Sequence, residues 1–216
     1  MNHLERRKRI IETRNITVVL DVGANKGQFA LETRQQLNYS GRIVSFEPLS
    51  SAFEELRARA AGDQLWECRQ FGLSNSRRSA HINISENSHS SSLLNVSPRS
   101  LTIEPSIRYI GREEIQLHRL DAVWSEFCND NDRVYLKIDT QGHEMAVLDG
   151  ARAVLPRVSV LQIETSFLTV YEEEVLIDEM IRFLYANGFK IVGIEPGWED
   201  GATGEMLQAD LLLVHA

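Results

Sequence analysis

Apolar, β-branched runs alternate with helix-periodic segments along most of the chain, and this alternation constrains the fold more than any other feature. Runs at 17–20, 42–46 and 65–73 are separated by helical patterns that extend to about residue 37 and over 50–61. Strands linked by helices run parallel, because the chain must cross back over the sheet before each new strand begins. The first third of the chain therefore predicts a βαβαβ unit of a doubly wound α/β fold.

The same rhythm returns after residue 133 but ends differently. Main-sheet strands are predicted at 134–139, 158–164, 189–194 and 209–215, with helices over 142–148 and 174–186. No helix separates the last two strands, so they should pair as an antiparallel hairpin. Between the two halves lie alternating strands at 79–85 and 115–120 and a serine-rich loop at 86–98. The pattern predicts seven main-sheet strands and a small two-strand insertion before the fourth.

Length and charge limit the possible partners. The 216 residues suit a single domain, with an N-terminal helix at about 1–15 and the insertion at about 76–120. The net charge of −8 argues against a nucleic-acid partner, and we interpret the basic run Arg6–Arg9 as a solvated helix face. No apolar segment reaches the roughly 18 residues of a membrane span or resembles a signal core, so we expect a cytoplasmic protein. A homodimer is the default expectation.

The stretch VVLDVGANKGQFA at 18–30 predicts a loop that binds a ligand between a strand and a helix. It lacks both the GxxxxGK[ST] and the GxGxxG phosphate motifs. Asp21 ends the strand, where a carboxylate would repel phosphate but attract a cation. S-adenosylmethionine fits, because it carries a sulfonium, an ammonium and no phosphate. The residues that we expect to form its cradle are Asp21, Gly23, Ala24, Asn25, Gly27 and Gln28.

Glu47 supports the same interpretation from the second strand. It follows Phe46 directly, 20 residues after Gly27, and an acid at this place can accept both ribose hydroxyls. The alternative is that Gly23 and Gly27 only make a tight turn and that Glu47 only caps a helix. Two such features in register on neighbouring strands favour the cofactor.

Three segments together resemble the FkbM-type methyltransferases, a branch of the class I S-adenosylmethionine-dependent enzymes. They read VVLDVGANKGQFA, IVSFEP and YLKIDTQGHEMAVLDGA, and the third is the most specific. The resemblance implies a Rossmann-like sheet of order 3-2-1-4-5-7-6 with strand 7 antiparallel. It also implies methyl transfer to a hydroxyl, often of a sugar or a polyketide-type product. The adenine would lie near Gly72, Leu73 and Ser74, where this chain lacks the acid found in many class I enzymes.

Acids at the ends of strands four and five suggest two mechanisms. In the first, Asp139 and Glu164 bind Mg²⁺, which polarises the acceptor hydroxyl. In the second there is no metal, and Asp139 or His143 accepts the proton. Glu144 is either a third catalytic group or a structural one that pins the loop or the helix N-terminus. Alignment of acceptor and cofactor is the main contribution in both.

Four residues outside these motifs are candidates for acceptor binding. Ser91 and Ser92 lie in the polar loop, His118 on the insertion strand, and Trp198 in the loop of the last hairpin. We expect a small-molecule or oligosaccharide acceptor with a free hydroxyl, most simply a saccharide or glycosylated metabolite. The alternatives are a polyketide or other secondary metabolite, a nucleic-acid methyltransferase, and a cofactor-binding regulatory module without catalysis.

Overall fold

A seven-stranded sheet forms the centre of the molecule in the computed structural model, which describes residues 1–215. Its order is β3-β2-β1-β7-β8-β10-β9, and only β10 runs against its neighbours. The strands are β1 Val18–Val22, β2 Arg42–Phe46, β3 Trp66–Arg69, β7 Val134–Ile138, β8 Val158–Ser166, β9 Phe189–Pro196 and β10 Gln208–His215. Counted along the main sheet alone, the order is 3-2-1-4-5-7-6, as predicted.

Helices cover both faces of this sheet. They are α1 His3–Thr13, α2 Gln28–Gln35, α3 Ser50–Ala60, α4 Pro98–Ile103, α5 Leu120–Phe127, α6 Glu144–Asp149 and α7 Ile177–Ala186. The first three pack on one face through residues such as Ile11, Ala30 and Leu56. The last three pack on the other face through residues such as Val123 and Met180. The sheet is thus buried on both sides, which explains its nearly continuous apolar strands.

The insertion is a second sheet of three strands rather than the predicted two. Its strands are β4 Gly72–Leu73, β5 Arg78–Ser85 and β6 Tyr109–His118, in the order β4-β6-β5. The predicted third strand at 65–73 is therefore divided, because β4 pairs with β6 instead of continuing along β2. Leu49 and Ala52 pack beneath this sheet against Ile82 and Ile115, so the insertion lies beside the start of α3.

Two helices begin without a side-chain cap. Leu49 precedes α3 and Arg119 precedes α5, and neither side chain caps its helix, although Ser50 and Asp121 lie in the first turns. At α3 the first amides are bonded from outside the helix: Glu47 accepts from Leu49 N and Glu113 accepts from Ser50 N. Glu47, at the end of β2, thus accepts a hydrogen bond at the start of α3 that a capping side chain would otherwise accept.

The carboxyl ends of β1, β2, β7 and β8 meet at one edge of the sheet. Glu47, Asp139 and Glu164 lie there because parallel strands in register end together. The reversed strand β10 begins at this edge, with Asp210 directly opposite Glu164. No helix within residues 1–215 has the length and apolar character to cross a bilayer.

Candidate active site

A cavity of about 540 Å³ opens at this edge, within the range of small-molecule sites. It runs from the insertion sheet, past the loop after β1, to the space between α1 and the strands β8, β10 and β9. The predicted residues that line it are Gly23, Ala24, Asn25, Gln28, Glu47, Gly72, Leu73, Ser91, Asp139, His143 and Glu164. Cofactor and acceptor candidates therefore border one continuous space.

The two glycines of the first loop have different reasons to be glycine. Gly23 adopts φ +77°, and a Cβ there would lie 1.8 Å from the carbonyl oxygen of Asp139. Gly27 adopts φ +84° at the start of α2, and its Cβ would collide with Leu56 and Trp66. Internal packing and the positive φ therefore require glycine at both positions, independently of any ligand.

The backbone amides of this loop are largely used within the protein. Gly23 N and Ala24 N donate to the carbonyl of Phe46 at 3.1 and 3.0 Å, and Asn25 N donates to Glu47 Oε2 at 2.8 Å. A ligand carboxylate must therefore be met by the first turn of α2, whose amides have no intrahelical acceptor. Gln28, the first residue of that turn, lines the cavity.

Glu47 is buried and still borders the cavity. Its second oxygen, Oε1, accepts from Leu49 N at 2.8 Å, so backbone amides hold both oxygens in place. Burial raises the pKa of Glu47 to about 7, against these two hydrogen bonds, which lower it. Each oxygen keeps a lone pair for a hydroxyl donor, as ribose recognition requires.

Asp21 lies beneath the cavity and does not line it. Its Oδ2 accepts from Ser45 Oγ at 3.1 Å, and its Oδ1 is 3.8 Å from Lys137 Nζ without a hydrogen bond. Burial raises the pKa of Asp21. The placement makes Asp21 a partner of Lys137, whereas the sequence suggested direct contact with the cofactor.

A network of side chains joins the two acids at the ends of β7 and β8. Lys137 Nζ donates to Asp139 Oδ2 at 3.1 Å. Gln141 Nε2 donates to both Asp139 Oδ1 and Glu164 Oε2 at 2.8 Å, and Tyr171 Oη donates to Gln141 Oε1 at 2.6 Å. Asp139 and Glu164 thus converge as predicted, but an amide bridges them. Gln141 was missed by sequence reasoning, although it stands between two motif acids.

Burial and nearby charges shift the pKa values of Lys137 and Glu164. Burial alone would lower the pKa of Lys137, but the nearby Asp139 and Asp21 outweigh it and the net shift is upward. Burial, followed by the charge of Asp139, raises the pKa of Glu164 well above its ordinary value. Lys137 is therefore a fixed cation, and Glu164 is a weaker acid than an exposed glutamate.

Glu144 and His143 are turned away from the acids. Glu144 Oε1 accepts from Thr140 N at 2.7 Å and from Gly142 N at 3.2 Å, which pins the turn between β7 and α6. His143 Nε2 is 2.9 Å from Ser74 Oγ, on the side of the cavity next to β4. Burial lowers the pKa of His143 to about 4, so its ring is neutral.

The serine-rich loop after β5 covers the first loop. Asn25 Nδ2 donates to the carbonyl of Ser88 at 3.2 Å. Ser91 borders the cavity, whereas Ser92 is buried and donates to the carbonyl of Gln141 at 2.6 Å. Ser92 therefore ties the insertion to the turn after β7 and is not placed to touch a ligand.

His118 and Trp198 do not border the cavity. His118 packs against Phe71 with tilted rings whose centroids are 4.5 Å apart, and Trp198 packs on an apolar cluster around Tyr171 and Leu207. Their placement gives no contact with a ligand held there.

Several lining residues were not singled out from the sequence, and five of them are polar or charged side chains at the far end of the cavity. They are Arg7, Glu32, Gln162, Glu195 and Asp210. Arg7 is only 4% exposed, so the interpretation of its basic run as a solvated face is wrong at this position. Its Nη2 contacts Glu32 Oε1 at 2.6 Å and its Nε contacts Glu195 Oε1 at 3.3 Å. Helical spacing from Arg7 to the buried Ile11 was the available signal.

A family model described as the methyltransferase FkbM domain matches residues 21–191. A similar solved structure is methyltransferase FkbM from Methylobacillus flagellatus KT, with TM-score 0.58, 14% identity, and coverage of 92% of this chain and 44% of that one. An rRNA methylase from Streptococcus thermophilus gives TM-score 0.52 at 9% identity, with 100% and 97% coverage. TrmK of M. capricolum, solved with S-adenosyl-homocysteine, gives 0.52 at 9%, with 100% and 68% coverage.

The structural likenesses identify the fold as that of the class I methyltransferases, which confirms the predicted architecture. This chain spans less than half the length of the Methylobacillus protein. None of the curated protein sequences matches it.

Proposed function

Because this chain belongs to the FkbM methyltransferase family, we propose that it transfers a methyl group from S-adenosylmethionine to a hydroxyl of a saccharide or glycosylated metabolite. One observation carries the proposal. A single cavity joins Glu47 and the first turn of α2 to Asp139 and Glu164 at the neighbouring strand ends. A nucleoside-sized ligand and a hydroxylated acceptor can then meet beside Asp139.

The cofactor end of the cavity has suitable chemistry. Glu47 offers oxygens to the ribose hydroxyls, and Gly72 and Leu73 line the space beside it for the adenine. The first turn of α2 can accept a carboxylate, while Asp139 offers a negative charge to the sulfonium and the ammonium. The Oδ1 of Asn25 is buried and has no hydrogen-bond partner, which leaves an acceptor for a ligand donor.

Asp139 is the residue that we assign to the acceptor proton. S-adenosylmethionine supplies an activated methyl group, whose transfer breaks the S–CH₃ bond and forms the new C–O bond. Asp139 Oδ1 accepts the hydroxyl proton, and the Lys137 ammonium, 3.1 Å from Oδ2, holds the side chain in position. His143 is a weaker candidate, because its ring nitrogen is bonded to Ser74.

The residues at the acceptor end do not fit Mg²⁺, so our proposal has no metal step. Magnesium prefers an octahedral shell of oxygens. Here an N–H donor of Gln141 lies between Asp139 and Glu164, and an ammonium holds the other oxygen of Asp139. Residues 1–215 contain no group of three or more His, Cys, Asp or Glu arranged for a metal. Turnover should be unchanged by EDTA.

Binding of S-adenosylhomocysteine, measured by titration calorimetry, tests the cofactor site. We expect binding to the wild type and at least tenfold weaker binding to Glu47→Gln, which turns an amide N–H toward a backbone N–H, a loss of about 1.4 kcal/mol or more. Glu126→Gln removes the same charge at an exposed position and should bind like the wild type. No binding to the wild type would refute the proposal.

An acceptor screen with methyl-labelled cofactor tests the reaction. Saccharides and glycosides should be labelled, because the lining near Asp139 is rich in polar groups. Labelling of polyketide-type hydroxyls alone would favour an enzyme that methylates a polyketide or other secondary metabolite. Labelling of RNA transcripts would favour a nucleic-acid methyltransferase. Cofactor binding without labelling of any acceptor would favour the regulatory module.

A further inference from the structure

Three carboxylates stand side by side across neighbouring strands at the far end of the cavity. Asp210 on β10 pairs in register with Glu164 on β8 and with Glu195 on β9. Residues directly opposite each other project from the same face, and all three line the cavity. We call Glu164, Asp210 and Glu195 the acidic row. Ionised carboxylates in this arrangement repel one another, so a cation that joins the row favours their charged forms.

The described protein gives the acidic row one cation, and that cation is shared. Arg7 lies at 3.3 Å from Glu195 and at 2.6 Å from Glu32. The other cation in the cavity, Lys137, pairs with Asp139 at 3.1 Å and approaches Asp21 at 3.8 Å. Glu164 and Asp210 have only neutral donors: Gln141 and Gln208 reach Glu164, and Gln162 reaches Asp210, at 2.8–3.0 Å. 

Glu195 has a buried carboxylate oxygen without a hydrogen-bond donor. Its side chain is 7% exposed, it borders the cavity, and its Oε1 has no hydrogen-bond partner. The contact with Arg7 Nε is an ion-pair distance without hydrogen-bond geometry, since that nitrogen is also without a partner. A buried carboxylate oxygen without a donor is costly, so a cation held in the cavity beside Glu195 would stabilise its charged form.

The acidic row lies beyond the cofactor end. The loop and Glu47 belong to β1 and β2, whereas the row is carried by β8, β10 and β9. With strands about 4.8 Å apart, these three lie roughly 10 to 19 Å from β1 across the sheet. The positive groups of the cofactor, held at β1 and β7, therefore leave the far carboxylates without a partner, and the remaining space belongs to the acceptor.

We propose that the acidic row binds a protonated amine of the acceptor, so that the substrate is an amine-bearing polyol such as an amino sugar or an amino-saccharide. This inference rests on the proposed function, because it names the acceptor class of the same cavity. The ammonium pairs with Asp210 and its two neighbours, while a hydroxyl elsewhere on the acceptor faces Asp139. The amine anchors the acceptor, and the methyl group goes to oxygen.

Calorimetry on the complex with S-adenosylhomocysteine tests the proposal with a matched pair of ligands. The probes are the trisaccharide of glucosamine and its fully N-acetylated form, which have the same rings but differ in charge. At pH 7 and physiological salt we expect at least tenfold tighter binding of the amine form. Equal affinity for the two probes, or binding of neither at about 10 mM, would overturn the proposal.

Two isosteric variants locate the effect. Asp210→Asn and Glu195→Gln should reduce the preference for the amine form to less than threefold, while the affinity for S-adenosylhomocysteine stays as in the wild type. Glu126→Gln, an exposed acid outside the cavity, should keep the full preference. An unchanged preference in both variants would refute the role of the row. Failure of S-adenosylhomocysteine to bind would instead count against the proposed function.

Discussion

In the proposed reaction, Asp139 accepts the proton of the acceptor hydroxyl, and Lys137 holds Asp139 in place. The charged atoms of the pair are 3.1 Å apart, and the buried lysine lines the cavity. We expect Asp139→Asn to lower kcat about 10²–10⁴-fold, the usual contribution of general-base catalysis, because an amide cannot take the proton. Single-turnover transfer from labelled cofactor to an acceptor found in the screen measures this loss. His143→Asn should lower kcat by less than threefold.

Full activity of Asp139→Asn, with a large loss in His143→Asn, would reverse the assignment. Binding of S-adenosylhomocysteine should survive in both variants, which separates a chemical defect from a folding defect.

Glu144 should make stability depend on pH in a defined direction. Burial raises its pKa from 4.5 to about 7, so the folded protein holds a proton that the unfolded chain has lost. The proton on Glu144 therefore stabilises the folded protein fully below pH 4.5, and this stabilisation is lost as the pH rises to about 7. The loss in the free energy of unfolding should reach about 3 kcal/mol. Glu144→Gln keeps the acceptor oxygen and should lack this decline. Urea unfolding between pH 4.5 and 7.5 measures the difference.

The exposed Glu126→Gln variant should follow the wild type over the same range. A Glu144→Gln curve parallel to the wild type would mean that the carboxylate is already ionised in the folded protein.

Several site residues could be predicted because of one geometric rule. Glu47, Asp139 and Glu164 each end or follow a parallel strand, and such ends share one edge. Asp210 was not predicted by this rule, because it lies near the start of an antiparallel strand and not at the end of a parallel one. Gln141 was not predicted because an amide has no charge to mark it, and its partner Tyr171 is 30 residues away in sequence.

At the scale of elements, the end of α6 is fixed by contact with the insertion. A Cβ on Gly150 would lie 2.0 Å from the carbonyl oxygen of Ser74, so the backbones touch. Gly150→Ala should destabilise the protein by about 1–3 kcal/mol in urea unfolding, since neither backbone can retreat freely. Gly62→Ala at the end of α3 meets no atom within 4 Å and should change stability by less than about 0.5 kcal/mol.

A neutral result for Gly150→Ala would mean that the turn around Ser74 is free to shift. In that case the contact between Ser74 and His143 should weaken as well.

Strand positions were predicted well, and strand partners less so. Buried β-branched runs at 42–46 and 134–138 leave little choice of structure. At 65–73 the apolar pattern continues past Arg69, but pairing with β6 draws Gly72 and Leu73 into another sheet. Hydrophobic periodicity indicates which side chains of a strand are buried, but it does not indicate which strand it pairs with. The division of 65–73 between two sheets could therefore not be predicted.

At the scale of the whole molecule, α1 is joined to the sheet by a buried ion pair. Arg7 bridges Glu32 on α2 and Glu195 on β9. Arg7→Met should cost about 3–5 kcal/mol, because it leaves the buried carboxylate of Glu195 without its cation. The loss should be smaller at pH 5 than at pH 8, since burial raises the pKa of Glu195 and protonation removes the unpaired charge. Arg9→Met, at an exposed position, is the control.

Chemical denaturation at the two pH values measures both effects. A cost below about 1 kcal/mol for Arg7→Met would show that the pair is as weak as a surface salt bridge.

The antiparallel direction of β10 also determines which edge of the sheet is suited to attachment on a surface. Asp210, near the start of β10, borders the cavity, whereas His215 at its end pairs with Phe189 at the beginning of β9. The described chain therefore leaves the sheet at the edge opposite the mouth of the cavity. An immobilising tether attached at the His215 edge would present the mouth to solution, a favourable geometry for flow-cell binding measurements.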